Sequence, residues 1–198
     1  MKKTVKVLSL LFVAAALFMG CKQNVEEPAP APSIDGELFS KEDTTVTASA
    51  VELSDGNWTF RLVVKDDNET GAGELSFAAA NGSLDATKDF TFKFSQKGTI
   101  PAGTTEAEIE EKKADGYTVD GDKYSFYKEF DAKSLTEYMS ENPDDDITDC
   151  AEMMLMIVTN PSMSANSSVP IKTNSNKTKF FAEQTKNAAT MTMYFAKN

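Results

Sequence analysis

The chain has 198 residues, with 31 acidic and 20 basic side chains, a formal net charge of −11 and no histidine. A strongly acidic protein repels nucleic acid and anionic lipid head groups, so nucleic-acid binding is excluded. The lack of histidine excludes Ser-His-Asp and Cys-His catalysis, as well as zinc or copper sites built on histidine.

Residues 1–20 have the layout of a bacterial lipoprotein signal peptide. A lysine-rich start precedes the apolar segment Val7–Phe18, and Gly20 supplies the small residue before Cys21. The apolar segment is shorter than the roughly 20 residues that span a bilayer. We therefore expect cleavage between Gly20 and Cys21 and acylation of the Cys21 thiol with palmitate-like chains. A secreted protein with an incidental cysteine at this position is the alternative.

Residues 21–44 are predicted to be the acylated cysteine and an acidic tether rich in proline and alanine. Such a sequence favours polyproline II at about 3.1 Å per residue, so Lys22–Gly36 could hold a domain up to roughly 45 Å from the membrane. Removal of residues 1–20 takes away three lysines and changes the formal charge from −11 to −14. An SH3 ligand is the alternative for the Pro-Ala run, but no basic residue flanks that run.

Residues 45–198 are predicted to form a single α+β domain, dominated by an antiparallel sheet that is curved or barrel-like. We expect about seven to eight strands and two or three helices. Alternation of apolar and polar residues places Trp58, Phe60 and Leu62 on an inward face. The predicted strands of the first half are 46–53, 58–65, 73–80 and 89–98, the first two forming a hairpin that turns at Asp55-Gly56.

In the second half, a capping box at Thr105 and Glu108 predicts a surface helix over 106–115. A hairpin turning at Asp120-Gly121 follows it. A second capping box, Ser134 with Glu137, predicts a short helix. Residues 147–158 have apolar side chains at helical spacing, although a strand through MMLMIVT stays open. The chain is expected to close with a hairpin of two strands, 179–184 and 189–197.

Few residues carry recognisable chemistry. Cys150 has no histidine to activate it and is interpreted as a small buried apolar side chain. Two acidic groups could gather calcium, but both patterns are incomplete, and no metal or cofactor is predicted. No pair of carboxylates stands out as catalytic. The two acidic groups are Asp120 with Asp122 and Asp131, and Asp144 with Asp145, Asp146 and Asp149.

The segment Gly56-Asn57-Trp58 opens a strand early in the β-rich domain and is similar to the Gly-x-Trp element of lipocalins. This resemblance implies a closed barrel that holds a small apolar ligand. Lipocalins place an arginine near the last strand to cover the tryptophan, and this chain has Lys197 there.

A second resemblance covers more of the chain. The box Phe18-Met19-Gly20-Cys21, the Pro-Ala tether and the segments LSDGNW, IPAG, KADGYTVDGD and IKTNSNKTKF resemble small spirochaete lipoproteins of the Treponema kind, which have no assigned activity. The resemblance implies a location in the cell envelope and implies no reaction mechanism.

These observations lead to the hypothesis of a non-enzymatic lipoprotein of the cell envelope, anchored to a membrane by acyl chains. It would sit at the outer membrane, on the surface or the periplasmic face, and present an acidic domain that binds a protein or a small ligand. The alternatives are a structural or assembly protein without ligand, a lipocalin-like carrier of a small apolar ligand, and a carboxylate-dependent hydrolase. A lined cavity would favour ligand binding over a structural role.

Overall fold

The structure is a computed structural model that describes residues 32–161 and 169–198. These residues form one sheet of ten strands and three α-helices. The helices are α1 (Glu106–Ala114), α2 (Ala132–Glu141) and α3 (Asp146–Thr159). The strands are β1 (Val46–Ala48), β2 (Gly56–Lys65), β3 (Glu69–Ala80), β4 (Ser83–Leu84), β5 (Thr91–Thr99), β6 (Thr118–Asp120), β7 (Lys123–Asp131), β8 (Ile171–Thr173), β9 (Lys179–Lys186) and β10 (Ala189–Lys197).

The strands are ordered β1-β8-β9-β10-β2-β3-β5-β7-β6, with β4 paired to the end of β3. Every pairing is antiparallel. The prediction of an α+β fold with a mainly antiparallel curved sheet is confirmed, although the sheet has more strands than expected. It is an open sheet with β1 and β6 at its two edges, and the closed barrel of the lipocalin resemblance is not formed by the described residues.

Local signals account for most of the elements. The capping box of Thr105 and Glu108 starts α1, and residues 147–158 are helical, as predicted. The box of the next helix is formed by Asp131 and Ser134 instead of Ser134 and Glu137, because the Asp131 carboxylate accepts from the Ser134 amide at 2.7 Å.

The predicted first hairpin is wrong. Strand β1 is only three residues long and pairs with β8, so Val46 lies opposite Thr173. Strand β2 pairs instead with β3 and with the last strand, β10. The segment between β1 and β2 still joins the core through Val51 and Leu53, which are buried.

The main core lies between the sheet and helices α2 and α3. Its largest fully buried side chains are aromatic, and Phe60 stacks on Phe195 with ring centroids 4.2 Å apart. Helix α3 crosses β3 at Gly73, where an added Cβ would lie 2.5 Å from the Met154 sulfur and 2.7 Å from the Cys150 sulfur. The absence of a side chain at Gly73 therefore lets α3 reach the sheet.

The opposite face of the sheet is partly covered by residues 33–44. Ile34 is buried against Val63 and Ala72. The Asp35 carboxylate pairs with Lys97 at 2.5 Å, and the Gly36 carbonyl accepts a hydrogen bond of 2.9 Å from Arg61. Part of the segment predicted as tether, residues 33–44, therefore contacts the sheet in the structure.

The predicted signal peptide, the cleavage and acylation site at Gly20 and Cys21, and the predicted tether up to residue 31 lie outside the described residues. Within 32–161 and 169–198, no helix has the length and apolarity needed to cross a bilayer.

Candidate functional site

The helix-covered face of the sheet carries a polar cluster at one end, which we call the tyrosine–glutamate cluster: Glu69, Gln96, Lys112, Tyr117 and Tyr124. Glu69 starts β3, and its carboxylate accepts hydrogen bonds from Gln96 at 2.6 Å and from the Tyr124 hydroxyl. Tyr117 donates to the Gln96 side-chain carbonyl at 2.6 Å. Both Glu69 oxygens are therefore occupied by donors of the same chain.

Two features of the fold make this cluster possible. The register of the sheet places Glu69 and Tyr124 on either side of Gly98. A Cβ at Gly98 would lie 2.6 Å from the Tyr124 hydroxyl oxygen, so only glycine leaves room for the hydrogen bond to Glu69. The polar sequence Asp66–Glu69 reads as a turn, and for that reason sequence reasoning missed Glu69.

Lys112 connects α1 to the cluster. Its ammonium lies 3.9 Å from the ring centre of Tyr117 and 4.1 Å from that of Tyr124, within the range of cation–π attraction. Burial lowers the pKa of Lys112 although Glu69 and two aspartates oppose the shift, and burial raises the pKa of both tyrosines. Since α1 itself buries no residue, we interpret these contacts as the attachment of α1 to the sheet.

An apolar pocket lies at the other side of the same face, between α3 and strands β9 and β10. We call it the methionine pocket. It has a volume of about 240 Å³. Helix α3 contributes Met153, Met156 and Ile157, the two strands contribute Phe180, Ala182, Gln184, Met191, Met193 and Phe195, and Val51, Val169 and Ile171 also line it.

The strand register explains why these side chains converge. Residues 180, 182 and 184 of β9 alternate with outward residues, and Met193 is paired with Ala182. Helix α3 buries Ala151, Met154 and Val158 and leaves Met153 and Met156 toward the pocket and solvent, 39% and 49% exposed. Among the described residues, Gln184 is the one that lines the pocket with a polar side chain.

The pocket residues were missed in the sequence because the pairing of α3 with β9 and β10 is not local. The available signal was the unusual density of methionine in 153–156 and 191–193. Methionine is flexible and polarizable and is common at adaptable binding surfaces.

The acidic residues considered as calcium ligands have other contacts. Asp131 caps α2, and Asp145 caps α3 by accepting from the Ile147 amide at 2.7 Å. Asp120 ends β6 opposite Lys123 of β7, and the Asp122 backbone carbonyl accepts from the Ile100 amide at 2.6 Å. No group of three or more His, Cys, Asp or Glu side chains that could hold a metal ion exists in residues 32–161 and 169–198.

Cys150 lies against the core, 3.9 Å from the Met154 sulfur. Burial, with help from Asp146 and Asp149, raises the pKa of its thiol to about 12. A thiol with such a pKa is protonated and unreactive near neutrality, in line with the interpretation of Cys150 as a small apolar side chain.

The Gly-x-Trp element begins β2. Trp58 is fully buried, and its indole nitrogen donates to the Ser54 carbonyl at 2.8 Å. Lys197 lies opposite Trp58 on the neighbouring strand and donates to the Ser54 hydroxyl at 2.9 Å, so a basic side chain of the last strand does lie beside the tryptophan.

Comparison with protein-family models, with curated proteins and with solved structures finds no match to this chain.

Proposed function

We propose that this protein is a non-enzymatic, lipid-anchored protein of the cell envelope whose domain binds a small apolar ligand in the methionine pocket. The observation that carries the proposal is the pocket itself, about 240 Å³ with an almost wholly apolar lining. An apolar cavity of about 150 Å³ holds one benzene molecule. The methionine pocket therefore has room for a single ring with substituents or for a chain of about eight carbons.

The exposure of the pocket rim supports the proposal. Met153 and Met156 are among the most exposed large apolar side chains of the described residues. An occupant would cover their thioether groups and remove apolar surface from water. A purely structural role does not require an apolar pocket between α3 and the sheet, so this pocket favours ligand binding over the structural alternative.

The tyrosine–glutamate cluster supports a role without catalysis. A carboxylate-dependent hydrolase needs two carboxylates that face each other across a cleft. Glu69 is fully engaged by Gln96 and Tyr124. Glu74, a buried carboxylate on the opposite face of the sheet, is paired with Arg61. Glu69 and Glu74 therefore lie on opposite faces of the sheet and do not face each other across a cleft.

The pocket can be tested with residues 22–198, which omit the predicted signal peptide and Cys21 and contain every described residue. We expect 1-octanol to shift the 13C-methyl NMR signals of Met153, Met156, Met191 and Met193 with a Kd on the order of 100 µM. The signal of Met139, which packs elsewhere on α2, should stay in place and serves as the internal control.

Met193→Trp should fill the pocket and weaken octanol binding by at least about tenfold. Thr190→Trp is the matched control, because Thr190 lies on the same strand with its side chain on the other face. Absence of a saturable shift, or equal octanol affinity of Met193→Trp and the parent chain, would contradict ligand binding in the pocket.

The anchor is tested separately in the full chain expressed in a bacterium. Cys21→Ser should move the protein from the membrane fraction to the soluble fraction, because acyl chains can no longer be attached. Cys150→Ser is the control and should stay with membranes. Retention of Cys21→Ser in the membrane fraction would refute lipid anchoring, and protease treatment of intact cells would distinguish the surface from the periplasmic face.

A further inference from the structure

Provided that the proposed ligand binding holds, the uncharged lining of the methionine pocket restricts which chemical class of ligand can bind there. Of the described residues that line it, none carries a formal charge and Gln184 alone has a polar side chain. An ion placed among apolar groups without a partner loses hydration that nothing replaces. The amide of Gln184 can donate to a carbonyl or accept from a hydroxyl, which suits an uncharged polar group.

The surroundings of the pocket mouth disfavour an anion further. Asp149 and Glu152 each lie one helical turn before a rim methionine, Met153 and Met156 respectively, and are exposed on α3. Lys186 is the nearest cation along β9 on the face of Gln184. It lies two residues farther, about 7 Å along the strand, and does not line the pocket.

We infer that the methionine pocket selects uncharged apolar compounds with a single hydroxyl or carbonyl group and rejects the corresponding carboxylates. The apolar part lies between α3 and β10, and the polar group meets Gln184 at the mouth. Gln184 is exposed at the surface of the sheet, so the hydroxyl or carbonyl of the ligand keeps access to water.

The experiment compares 1-octanol with octanoate on residues 22–198 at pH 7.5, using the methionine methyl signals as the readout. These probes have the same chain length and differ in the charge of the head group. We expect octanoate to bind at least about tenfold more weakly, because its carboxylate finds no cationic partner among the lining residues and lies near the exposed carboxylates Asp149 and Glu152.

Two variants test the origin of the selectivity. Gln184→Lys should strengthen octanoate binding about fivefold, whereas Gln184→Leu should weaken octanol binding about threefold and should not strengthen octanoate binding. Equal affinities for octanol and octanoate would overturn the inference and leave the proposed function standing. Tighter binding of octanoate that is lost in Lys186→Gln would also overturn it, by showing that Lys186 recognises an anion. If neither compound shifts the signals, the proposed function itself fails.

Discussion

Replacing Gly73 by valine is expected to lower the free energy of unfolding by about 3 kcal/mol, because the new side chain would collide with α3. A Cβ at this position would lie 2.5 Å from the Met154 sulfur, 2.7 Å from the Cys150 sulfur and 3.3 Å from the Phe92 ring. All three are buried or largely buried on the core side of the sheet. Real Cβ atoms essentially never lie within 3.0 Å of such neighbours, so the side chains of Met154 and Cys150, which α3 holds against β3, must be displaced.

The fluorescence of Trp58, the chain's one tryptophan, reports on urea unfolding and provides the measurement. Gly71→Val is the matched control on the same face of the same strand. A Cβ at Gly71 meets nothing within 4 Å, and valine suits a strand, so its unfolding free energy should change by less than about 1 kcal/mol. Equal effects of the two substitutions would show that α3 does not rest on Gly73.

Gly73→Val should also affect the methionine pocket, since α3 forms one of its walls. A displaced helix changes the distance between Met156 and the sheet and therefore the volume available to a ligand. We expect the octanol-induced shifts of the rim methionines to weaken in Gly73→Val and to persist in Gly71→Val.

Where each element begins and ends was largely readable from the sequence, because those signals are local. Alternation identified most of β2, β5 and β10, and the capping box at Thr105 located α1. The pairing of strands depends on contacts between distant segments, and there the prediction failed. Strand β1 has few residues to specify a partner and pairs with β8, more than 120 residues away.

The candidate site was less predictable than the fold for the same reason. Glu69 gains its environment only when β3, β5 and β7 align it with Gly98 and Tyr124. The methionine pocket forms only when α3 lies over one face of the last hairpin, β9 and β10, which is distant from α3 in the sequence. Methionine-rich segments are also compatible with an ordinary hydrophobic core. Only the observed exposure of Met153 and Met156 distinguishes a binding pocket from such a core.

Arg61, the chain's one arginine, joins the sheet to Gly36, a residue within the predicted tether. Its guanidinium donates to Glu74, with Nε 3.0 Å from the carboxylate, and to the Gly36 carbonyl at 2.9 Å. The side chains of Arg61 and Glu74 are only 14% and 10% exposed. Removal of one member of such a pair leaves the other charge poorly solvated. Lys93, with its ammonium 3.7 Å from the Glu74 carboxylate, compensates in part.

Arg61→Met should therefore reduce the free energy of unfolding by about 3 kcal/mol, as measured by urea titration with Trp58 fluorescence. Trypsin should also cleave faster after Lys41, because residues 33–44 lose their bond at Gly36. Lys93→Met is the control and should lower stability by no more than about 1 kcal/mol.

The double variant Arg61→Met/Glu74→Leu separates the two consequences of losing Arg61. It removes the stranded carboxylate, so most of the lost stability should return while cleavage after Lys41 stays fast. If Arg61→Met left both unfolding and cleavage unchanged, residues 33–44 would not depend on Arg61 for their position. Recovery of both stability and trypsin resistance in the double variant would show that Ile34 and the Asp35–Lys97 pair suffice to hold the segment on the sheet.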